Sequence, residues 1–344
     1  MLNCVASDGC KQTHPYAPSR QQPHTHIVVT QLGLYGLFSI DKKLLASKSS
    51  KFVYVEHEGI TLYWEGDDVV KALKTFEVRD DDSWIVTFPK TGTTWVQEIM
   101  SCVMHDGNLE EVNKRHTVFR VPFLEFNLPK TVRDEHKLPQ SYKLIETVPS
   151  PRVIKSHLPG QLLPPKIWDK AKLVYVIRNP KDVVVSNFYF LRKINPERSG
   201  QTFSEFFDEM MAGKDPYGPW WDHYLFFWKK RHHPNILLLR FEDLKRDLRG
   251  NVETISKFLG KDLPAEALDA ITDHCTFANM KKNPMANPDS LYGNPEPAPG
   301  ATQAPFMRKG KVGDWKSHFT VAQSEAMDAL IRDKFYGTGL TFDQ

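Results

Sequence analysis

TFPKTGTTWVQEIM, residues Thr87 to Met100, is the stretch that decides the fold. The apolar run SWIVTF (Ser83–Phe88) predicts a buried strand leading into it, and the residues after the glycine have the period of an amphipathic helix. Strand, glycine turn and helix in this order resemble a Walker A phosphate loop, but here Lys90 precedes Gly92. The stretch therefore predicts an anion-binding turn of a different kind.

The groups of this turn suit an anion. Gly92 lets the backbone curl closely around a ligand, and the amides and dipole of a helix start favour negative charge. Lys90 adds a positive charge, and three hydroxyl donors come from Thr91, Thr93 and Thr94. On its own, the pattern is also compatible with a plain strand–turn–helix capped by a threonine.

The surrounding segments predict an α/β fold. Further apolar strands alternate with helical stretches, namely RVIKSH (Arg152–His157), KLVYVIR (Lys172–Arg178) and NILLLRF (Asn235–Phe241), and the alternating FVYVEHEGITLYW predicts a hairpin before them. We therefore expect a single domain with a central, mostly parallel sheet flanked by helices on both faces. Because ligands of such sheets bind at the carboxyl ends of the strands, one site should unite Lys90, His157, Arg178 and Phe241.

Composition limits the classes of function. A net charge of +3 over 344 residues gives no indication of nucleic-acid binding. The four cysteines fit neither a disulfide framework nor a zinc pattern and are typical of a reducing compartment. No apolar run reaches the ~18 residues that span a bilayer, and the first residues lack the apolar centre of a signal peptide. We expect a cytoplasmic protein without membrane contact.

Two regions stand apart from this pattern. Residues 1–50 contain HPYAPSRQQPHTH and few core formers, so we predict a largely disordered extension before a single domain at residues 51–344. Asn283 to Pro305 holds six prolines and two glycines, which predicts a long irregular loop. A loop of that length inside a compact domain is usually functional or disordered.

Two basic segments could bind a second phosphate. In KLVYVIRNPKDVVVSNFYF, Arg178 follows a strand and Ser186 lies in the next helix. Arginine grips a phosphate with two hydrogen bonds, and serine adds a hydroxyl. In PFMRKGKVGDWK, Arg308 and Lys309 adjoin the flexible Gly310. Taken alone, each segment is as typical of salt-bridged or solvated surface charges.

Together these segments resemble the cytosolic sulfotransferase family. The similarity runs from about Phe52 to the C-terminus, and the motifs come in the family's order: FPKTGTTW, RVIKSHLP, VIRNPKDVVVSNFYF, FANMKKNPM and FMRKGKVGDWK. The resemblance implies transfer of a sulfuryl group from 3′-phosphoadenosine 5′-phosphosulfate (PAPS) to the hydroxyl or amine of a small apolar acceptor, such as a phenol or a sterol. It implies no metal, because the loop grips a phosphosulfate without magnesium.

The resemblance also assigns the donor site. The 5′-phosphosulfate is expected on Lys90, Thr91, Gly92, Thr93, Thr94 and Trp95. The 3′-phosphate is expected on Arg178, Ser186, Arg308, Lys309 and Gly310. Trp95 and Phe277 should sandwich the adenine, as base stacking on aromatic rings allows. The donor-binding segments further include Phe241, Thr276, Met280, Phe306 and Met307.

One position departs from the family pattern. Phe241 precedes Glu242 and Asp243 where the family often has tyrosine. A phenylalanine can pack on the adenine but cannot hydrogen-bond it, so we expect weaker donor binding by no more than about 1 kcal/mol. Thr91 replaces a frequent serine and keeps the hydroxyl.

Four residues are expected to carry the chemistry. His157 lies just past a strand end, and imidazole titrates in the range needed to accept a hydroxyl proton. The resemblance makes it the general base, although a lone histidine is more often structural. It also implies that Lys90 stabilises charge on the leaving phosphate, that Lys155 holds the sulfuryl group, and that Ser186 restrains Lys90 until the acceptor arrives.

The acceptor pocket is less well defined. Phe123, Phe126 and Phe190 match pocket aromatics of the family, but they fit an ordinary core equally well. With Lys155 and His157 they would suit an apolar or aromatic alcohol, phenol or amine. The spacer between Phe126 and His157 is several residues longer than is usual in the family, so the sequence does not identify the acceptor.

A C-terminal segment matches the family's dimer motif, K-x-x-x-T-V-x-x-x-E, through Lys316, Thr320, Val321 and Glu325. Thr320 and Gln323 also have the spacing of a capping box. Such a short segment buries little area, so we expect a homodimer that dissociates on dilution.

Three alternatives stay open. A P-loop kinase would need a lysine after the glycine and magnesium ligands, which this sequence does not clearly offer. A dehydratase would use the same donor chemistry if its acceptor can expel a transient sulfate ester. A protein that binds adenosine 3′,5′-bisphosphate (PAP) without turnover is the non-enzymatic alternative, although both Lys90 and His157 are present.

Overall fold

The structure is a computed structural model that describes residues 54–63, 66–127, 133–134, 137–292 and 304–342. The predicted N-terminal extension, residues 1–50, lies outside this part of the chain. So do residues 293–303 of the proline-rich segment, whose preceding part folds into turns and one short helix.

Two sheets are present among the described residues. Strands β1 (Tyr54–His57) and β2 (Ile60–Tyr63) form the predicted antiparallel hairpin. The second sheet consists of four parallel strands: β3 (Ser83–Thr87), β4 (Val153–Ser156), β5 (Lys172–Ile177) and β6 (Ile236–Arg240). Their order across the sheet is β4–β3–β5–β6.

Helices fill most of the remaining described chain. In chain order they are α1 (Gly66–Leu73), α2 (Thr93–Met104), α3 (Leu109–Val112), α4 (Thr117–Arg120), α5 (Ser141–Glu146), α6 (Ile167–Lys170), α7 (Pro180–Ile194), α8 (Phe203–Met211), α9 (Trp220–Lys229), α10 (Phe241–Arg246), α11 (Leu248–Phe258), α12 (Ala265–His274), α13 (Phe277–Lys282), α14 (Asp289–Tyr292) and α15 (Val321–Lys334). None of the helices in the described ranges is long and apolar enough to cross a membrane.

Both faces of the parallel sheet are covered, because alternate side chains of its central strands enter different cores. On β3, Trp84 and Val86 belong to one apolar cluster and Ile85 to the other. On β5, Tyr175 and Val174 are divided in the same way. Strands buried on both faces have continuous apolar runs, which is the pattern of the sequence here. The predicted α/β fold is confirmed.

The four parallel strands end at one edge of the sheet. The register pairs Thr87 with Val176, and Ile177 with Arg240. Lys90, Arg178 and Phe241 follow these strand ends, and His157 follows β4 on the other side of β3. The topology therefore places the four residues predicted to share a site along one edge.

The C-terminal segment forms the expected cap. Thr320 and Gln323 exchange both hydrogen bonds of a capping box at the start of α15. Val321, in the first turn of this helix, is 75% exposed.

Candidate active site

The turn between β3 and α2 presents a helix start without a side-chain cap. Gly92 is the N-cap residue, with a φ of 116°, and no side chain accepts a hydrogen bond from the first turn. Any other residue would be strained there, and its Cβ would lie 2.9 Å from the ring of Phe241. The first amides of α2 are thus left to an external acceptor, as an anion site requires.

Two threonine hydroxyls of this turn are engaged within the protein. Thr91 donates to the carbonyl of Phe88 at 3.0 Å, and Thr93 shares a 2.6 Å hydrogen bond with Thr87. The sequence predicted them as donors to a ligand. In this structure they hold the turn against the end of β3, and their contact with a ligand stays a prediction.

Lys90 lies above two aromatic rings. Its φ of 69° is unusual for a residue other than glycine. Its Nζ is 4.0 Å from the ring centroid of Phe190 and 4.2 Å from that of Phe306. Burial, together with the charges of Lys155, Arg178, Lys193 and Arg308, lowers the pKa of Lys90 to about 7. A buried cation among other cations is stabilised by a bound anion.

A small pocket joins Lys90 to the next predicted segment. Its walls include Ser186 and Phe190 from α7, and Phe306 and Arg308 from the segment after the proline-rich loop. Sequence reasoning missed Ala304 and Pro305 in the wall, and also Tyr189 and Lys193 on α7. Tyr189 and Lys193 are three and seven positions after Ser186, so helical periodicity could have identified them.

Arg178 connects three parts of this region. It donates to the carbonyl oxygens of Lys90 at 3.2 Å and Lys311 at 3.1 Å, and its guanidinium lies 4.2 Å from the ring centroid of Phe241. Its Nε has no hydrogen-bond partner among the described residues. A buried guanidinium with an unused donor is suited to a phosphate oxygen.

Two carboxylates, neither of which was predicted from the sequence, hold the segment that contains Arg308 and Lys309 in place. Asp314 accepts from Arg308 at 2.5 Å and from Lys309 at 2.6 Å. Asp182 on α7 accepts the amide of Gly313 at 2.8 Å and lies 3.8 Å from Arg178. These contacts bring the Arg308 segment to Arg178, as the phosphate hypothesis needs. A phosphate bound here would compete with Asp314 for its two cations.

The predicted adenine residues lie beside the loop. The indole of Trp95 donates to the carbonyl of Cys275 at 2.7 Å, and its ring lies 5.5 Å from that of Phe241. Phe277 packs so closely on Gly310 that a Cβ there would lie 2.3 Å from its ring. Thr276 caps α13, Met280 is buried, and Met307 packs against the core. A base between Trp95 and Phe277 stays a prediction.

His157 has the tautomer of a general base. Its Nδ1 lies 2.7 Å from the carbonyl oxygen of Thr87. Because that oxygen can only accept, Nδ1 carries the proton and Nε2 keeps a lone pair. Burial and the charge of Lys155 hold the pKa of His157 well below its usual range. The imidazole is therefore neutral at physiological pH.

Two residues that the sequence did not reveal fix the backbone of His157. Glu125 Oε1 accepts its N–H at 2.5 Å, and Nε2 of His223 donates to its carbonyl at 3.1 Å. Nδ1 of His223 accepts from the hydroxyl of Tyr175 at 2.7 Å. Burial raises the pKa of Glu125 to about 7. Glu125 lies within VPFLEF, but no local pattern distinguished its carboxyl from a surface one.

Aromatic rings surround His157 and Lys155. Phe123 and Phe126 are stacked with centroids 5.8 Å apart, and Phe123 meets the imidazole edge-on at 5.1 Å. The Nζ of Lys155 is 4.0 Å from the ring centroid of Phe123. Tyr217, which was not predicted, lies 5.7 Å from the His157 ring. Phe190 lies over Lys90, in the pocket that also includes Ser186 and Arg308.

This geometry combines an anion-binding helix start, buried lysines and a neutral imidazole at one sheet edge. Comparisons with known proteins agree with it. The sulfotransferase domain model matches residues 80–339. The chain is 41% identical over 291 residues to Sulfotransferase 1 family member D1 of Mus musculus, which covers 84% of this chain and 95% of that protein. Sulfotransferase 1A1 of Canis lupus familiaris is 40% identical over 286 residues, covering 83% of this chain and 94% of that one.

A solved structure extends the comparison to the fold. The crystal structure of retinol dehydratase in a complex with retinol and PAP matches with a TM-score of 0.76 and 26% identity. The match covers 88% of this chain and 96% of the dehydratase.

Proposed function

The chain belongs to the sulfotransferase family, a family of PAPS-dependent transferases, and we propose that it transfers a sulfuryl group from PAPS to the hydroxyl or amine of a small apolar acceptor. One observation carries this proposal. A neutral imidazole, His157, lies beside the buried cation Lys155 and close enough to Lys90 for their charges to interact. A proton acceptor, a cation for the leaving phosphate and a cation for the transferred sulfuryl group are thus brought together.

The donor occupies the edge between the turn and Arg178. The amides at the start of α2 and Lys90 bind the 5′-phosphosulfate. Arg178 and Arg308 bind the 3′-phosphate, with Ser186, Lys309 and Gly310 close by. This assignment is supported by the uncapped Gly92 and by the unused Nε of Arg178. No metal ion is needed, because the charge of the donor is met by lysine and arginine.

Transfer follows from the positions of three side chains. The acceptor oxygen attacks the sulfur while Nε2 of His157 accepts its proton. The carbonyl of Thr87, bonded to Nδ1, stabilises the imidazolium that forms. The bond between sulfur and the bridging oxygen breaks, and the electron pair stays on the phosphate of PAP. Lys90 stabilises that charge, and Lys155 holds the sulfuryl oxygens.

The acceptor contacts Phe123, Phe126 and Tyr217. These rings form an apolar wall next to His157, so a flat aromatic or alicyclic alcohol or phenol is the favoured class.

Dehydration through a transient sulfate ester is the second candidate function. The similarity to retinol dehydratase supports it. The same residues would form the ester, after which the acceptor expels sulfate, gives up a proton to solvent and gains a double bond. An allylic alcohol as acceptor distinguishes the candidates, because its products are either a stable sulfate ester or free sulfate and an alkene.

Assembly and location complete the proposal. The exposed Val321, beside Lys316 and Glu325, supports a homodimer through this segment. Sedimentation of wild type and Val321→Glu at falling concentration tests it, and an unchanged dimer in the variant would refute it. We also place the enzyme in the cytoplasm, as its family resemblance suggests, and cell fractionation tests that assignment.

The test of function uses radiolabelled PAPS and a panel of phenols, sterols, retinoids and amines, with PAP affinity measured on the same protein. We expect label on at least one acceptor. Tight PAP binding with no ester and no released sulfate would favour a binding protein. No PAP binding at all would refute the roles of Lys90, Arg178 and Arg308.

A further inference from the structure

A carboxylate of the protein itself binds the two cations that the proposed function places at the 3′-phosphate. Oδ2 of Asp314 accepts from Nη2 of Arg308 at 2.5 Å, and Oδ1 accepts from Nζ of Lys309 at 2.6 Å. Although burial opposes it, hydrogen bonds from Lys309 and Arg308 lower the pKa of Asp314 below its ordinary value. Asp314 is therefore ionised at physiological pH and is the counter-ion of both cations.

This contact lies at the edge of the donor pocket. Arg308 lines the small pocket that also includes Lys90. The side chain of Asp314 is only 9% exposed, so water and salt screen its charge less than that of a surface carboxylate. A phosphate that approaches Arg308 and Lys309 therefore meets donors that are already engaged, together with a nearby negative charge.

The backbone around Asp314 is anchored by contacts that do not involve its carboxylate. Asp182 on α7 accepts the amide of Gly313 at 2.8 Å and the amide of Trp315 at 3.0 Å. Nδ1 of His318 donates to the backbone carbonyl of Asp314 at 2.9 Å. Removing the carboxylate leaves these anchors intact, so the segment does not need it to keep its place.

Orientation of Arg308 is the main alternative role for Asp314, because a guanidinium has enough donors to bind a carboxylate and a phosphate together. Here the guanidinium has a second support, since it lies 4.5 Å from the ring centroid of Tyr189. The hydroxyl of Tyr189 is in turn held by Nε2 of His318 at 3.1 Å. Lys309 needs no fixed orientation, because an ammonium is a compact charge on a flexible stem. The contacts therefore favour competition over orientation.

We propose that Asp314 competes with the 3′-phosphate of the nucleotide for Arg308 and Lys309. In the free protein, its carboxylate neutralises both cations. When a nucleotide with a 3′-phosphate binds, the phosphate must displace this carboxylate or bind against its charge, so the affinity is lower than the two cations alone would give. The inference rests on the proposed function, because that function places Arg308 and Lys309 at the 3′-phosphate.

This competition has two consequences for the nucleotides. The donor and the product PAP both carry the 3′-phosphate, so Asp314 weakens both and speeds the dissociation of PAP, a step that limits turnover in many enzymes. A nucleotide without that phosphate leaves the contacts of Asp314 unchanged, so its affinity does not depend on this residue. Adenosine 5′-phosphate differs from PAP only in lacking the 3′-phosphate and is therefore the matched ligand.

Calorimetry of the full chain with both nucleotides tests the competition. In Asp314→Asn, PAP should bind about three- to tenfold more tightly, while the affinity for adenosine 5′-phosphate stays unchanged. Stopped-flow displacement should show that PAP dissociates more slowly from this variant by a similar factor. Asp314→Glu keeps the carboxylate and should bind PAP more weakly than Asp314→Asn does. Asp269→Asn removes a carboxylate from an exposed pair with Arg249, so it controls for net charge and should change neither affinity.

Three results would overturn the role of Asp314. Weaker PAP binding in Asp314→Asn would mean that the carboxylate orients Arg308, and unchanged binding would mean that it does not act on the phosphate. An equal gain for adenosine 5′-phosphate would show that the effect does not lie at the 3′-phosphate. Thermal unfolding checks each variant, and Asp314→Ser repeats the measurement if the asparagine variant does not fold. A wild type that binds neither nucleotide would refute the proposed function itself, whereas a wild type that binds PAP with no gain in the variant refutes only the competition.

Discussion

The two ends of the site each hold a buried lysine against aromatic rings, but their charges differ. At the donor end, formed by Lys90, Gly92, Arg178 and Arg308, burial and other cations lower the pKa of Lys90 to about 7. At the acceptor end, formed by Phe123, Glu125, Lys155 and His157, burial lowers the pKa of Lys155 to about 8 while Glu125 opposes the shift. The charges that act on Lys90 are therefore all positive, whereas Lys155 has a carboxylate counter-charge. At the donor end, Asp182 and Asp314 partly neutralise Arg178 and Arg308 but not Lys90.

This difference shows which ligand belongs at which end. An anion gains most where buried cations repel one another. The acceptor end offers rings, a neutral imidazole and a lysine with its own carboxylate, so it favours a neutral molecule. A charged acceptor would have to displace the interaction between Glu125 and Lys155.

Replacing Lys90 should have the largest effect on turnover. In Lys90→Met, turnover should fall about 10²- to 10³-fold, because the variant lacks a cation on the leaving phosphate. Lys193→Met is the matched control, since Lys193 lines the same pocket but pairs with Asp289. Steady-state kinetics measure both. Equal losses would mean that general positive charge, not Lys90, carries the effect.

Replacing Arg178 should weaken the binding of PAP. In Arg178→Ala, PAP affinity should fall about 10- to 150-fold, the range for losing a charged hydrogen bond. Calorimetry measures it, with thermal unfolding as a check on folding. Arg246→Ala, at an exposed salt bridge with Asp243, should leave affinity unchanged. An Arg178→Ala protein that is folded and binds PAP normally would contradict the donor assignment.

PAP affinity at the donor end should fall as the pH rises above 7. Lys90, with a pKa of about 7, is charged below pH 7 and loses its proton above it. PAP stabilises the charged form, so its affinity should fall by up to about tenfold per pH unit above 7. Titrations in buffers of different ionisation enthalpy should show proton uptake near pH 8. An affinity that rises with pH would reverse the sign and refute this role.

Changes at Glu125 should test positioning at the acceptor end. Glu125→Ala leaves the N–H of His157 unpaired, at a cost of about 1–3 kcal/mol, and should lower kcat about tenfold. Glu125→Gln keeps an acceptor and should remain within about threefold of wild type. The KM for the acceptor and the PAP affinity should change little in either variant. Equal loss in both would mean that the charge, rather than the hydrogen bond, is needed.

The smallest expected effect is at Phe241. A Phe241→Tyr variant should bind PAP more tightly by no more than about 1 kcal/mol, or about fivefold. The ring contacts Gly92, Trp95 and Arg178, so a larger gain would mean that the hydroxyl does more than bond the adenine. Weaker PAP binding in Phe241→Tyr would show that the site has no room for the added hydroxyl.

The turn of the donor end was predictable as local structure, because its elements are contiguous in the chain. A strand, the Lys90 turn and a helix follow one another in the chain, and α2 begins at Thr93, directly after the glycine. The capping box at Thr320 was predicted for the same reason, whereas the parallel sheet was predicted from the alternation of apolar strands with helices.

The acceptor end could not be predicted from the sequence, because its polar contacts join segments that are distant in the chain. His223 reaches His157 across 66 residues, and Glu125 across 32. The sequence also cannot show that the hydroxyls of Thr91 and Thr93 make hydrogen bonds with Phe88 and Thr87 within the protein. Strand order, which brings β4 beside β3, is likewise fixed by packing rather than by local pattern.

Single-turnover transfer from radiolabelled PAPS by wild type and His157→Ala, with PAP affinity measured on both, most directly tests the separation of the two ends. We expect wild type to form the labelled product, while His157→Ala loses turnover about 10²- to 10⁴-fold and keeps its PAP affinity within a few fold. A variant that transfers at the wild-type rate, or one that loses PAP binding together with turnover, would show that His157 is not the base of a separate acceptor end.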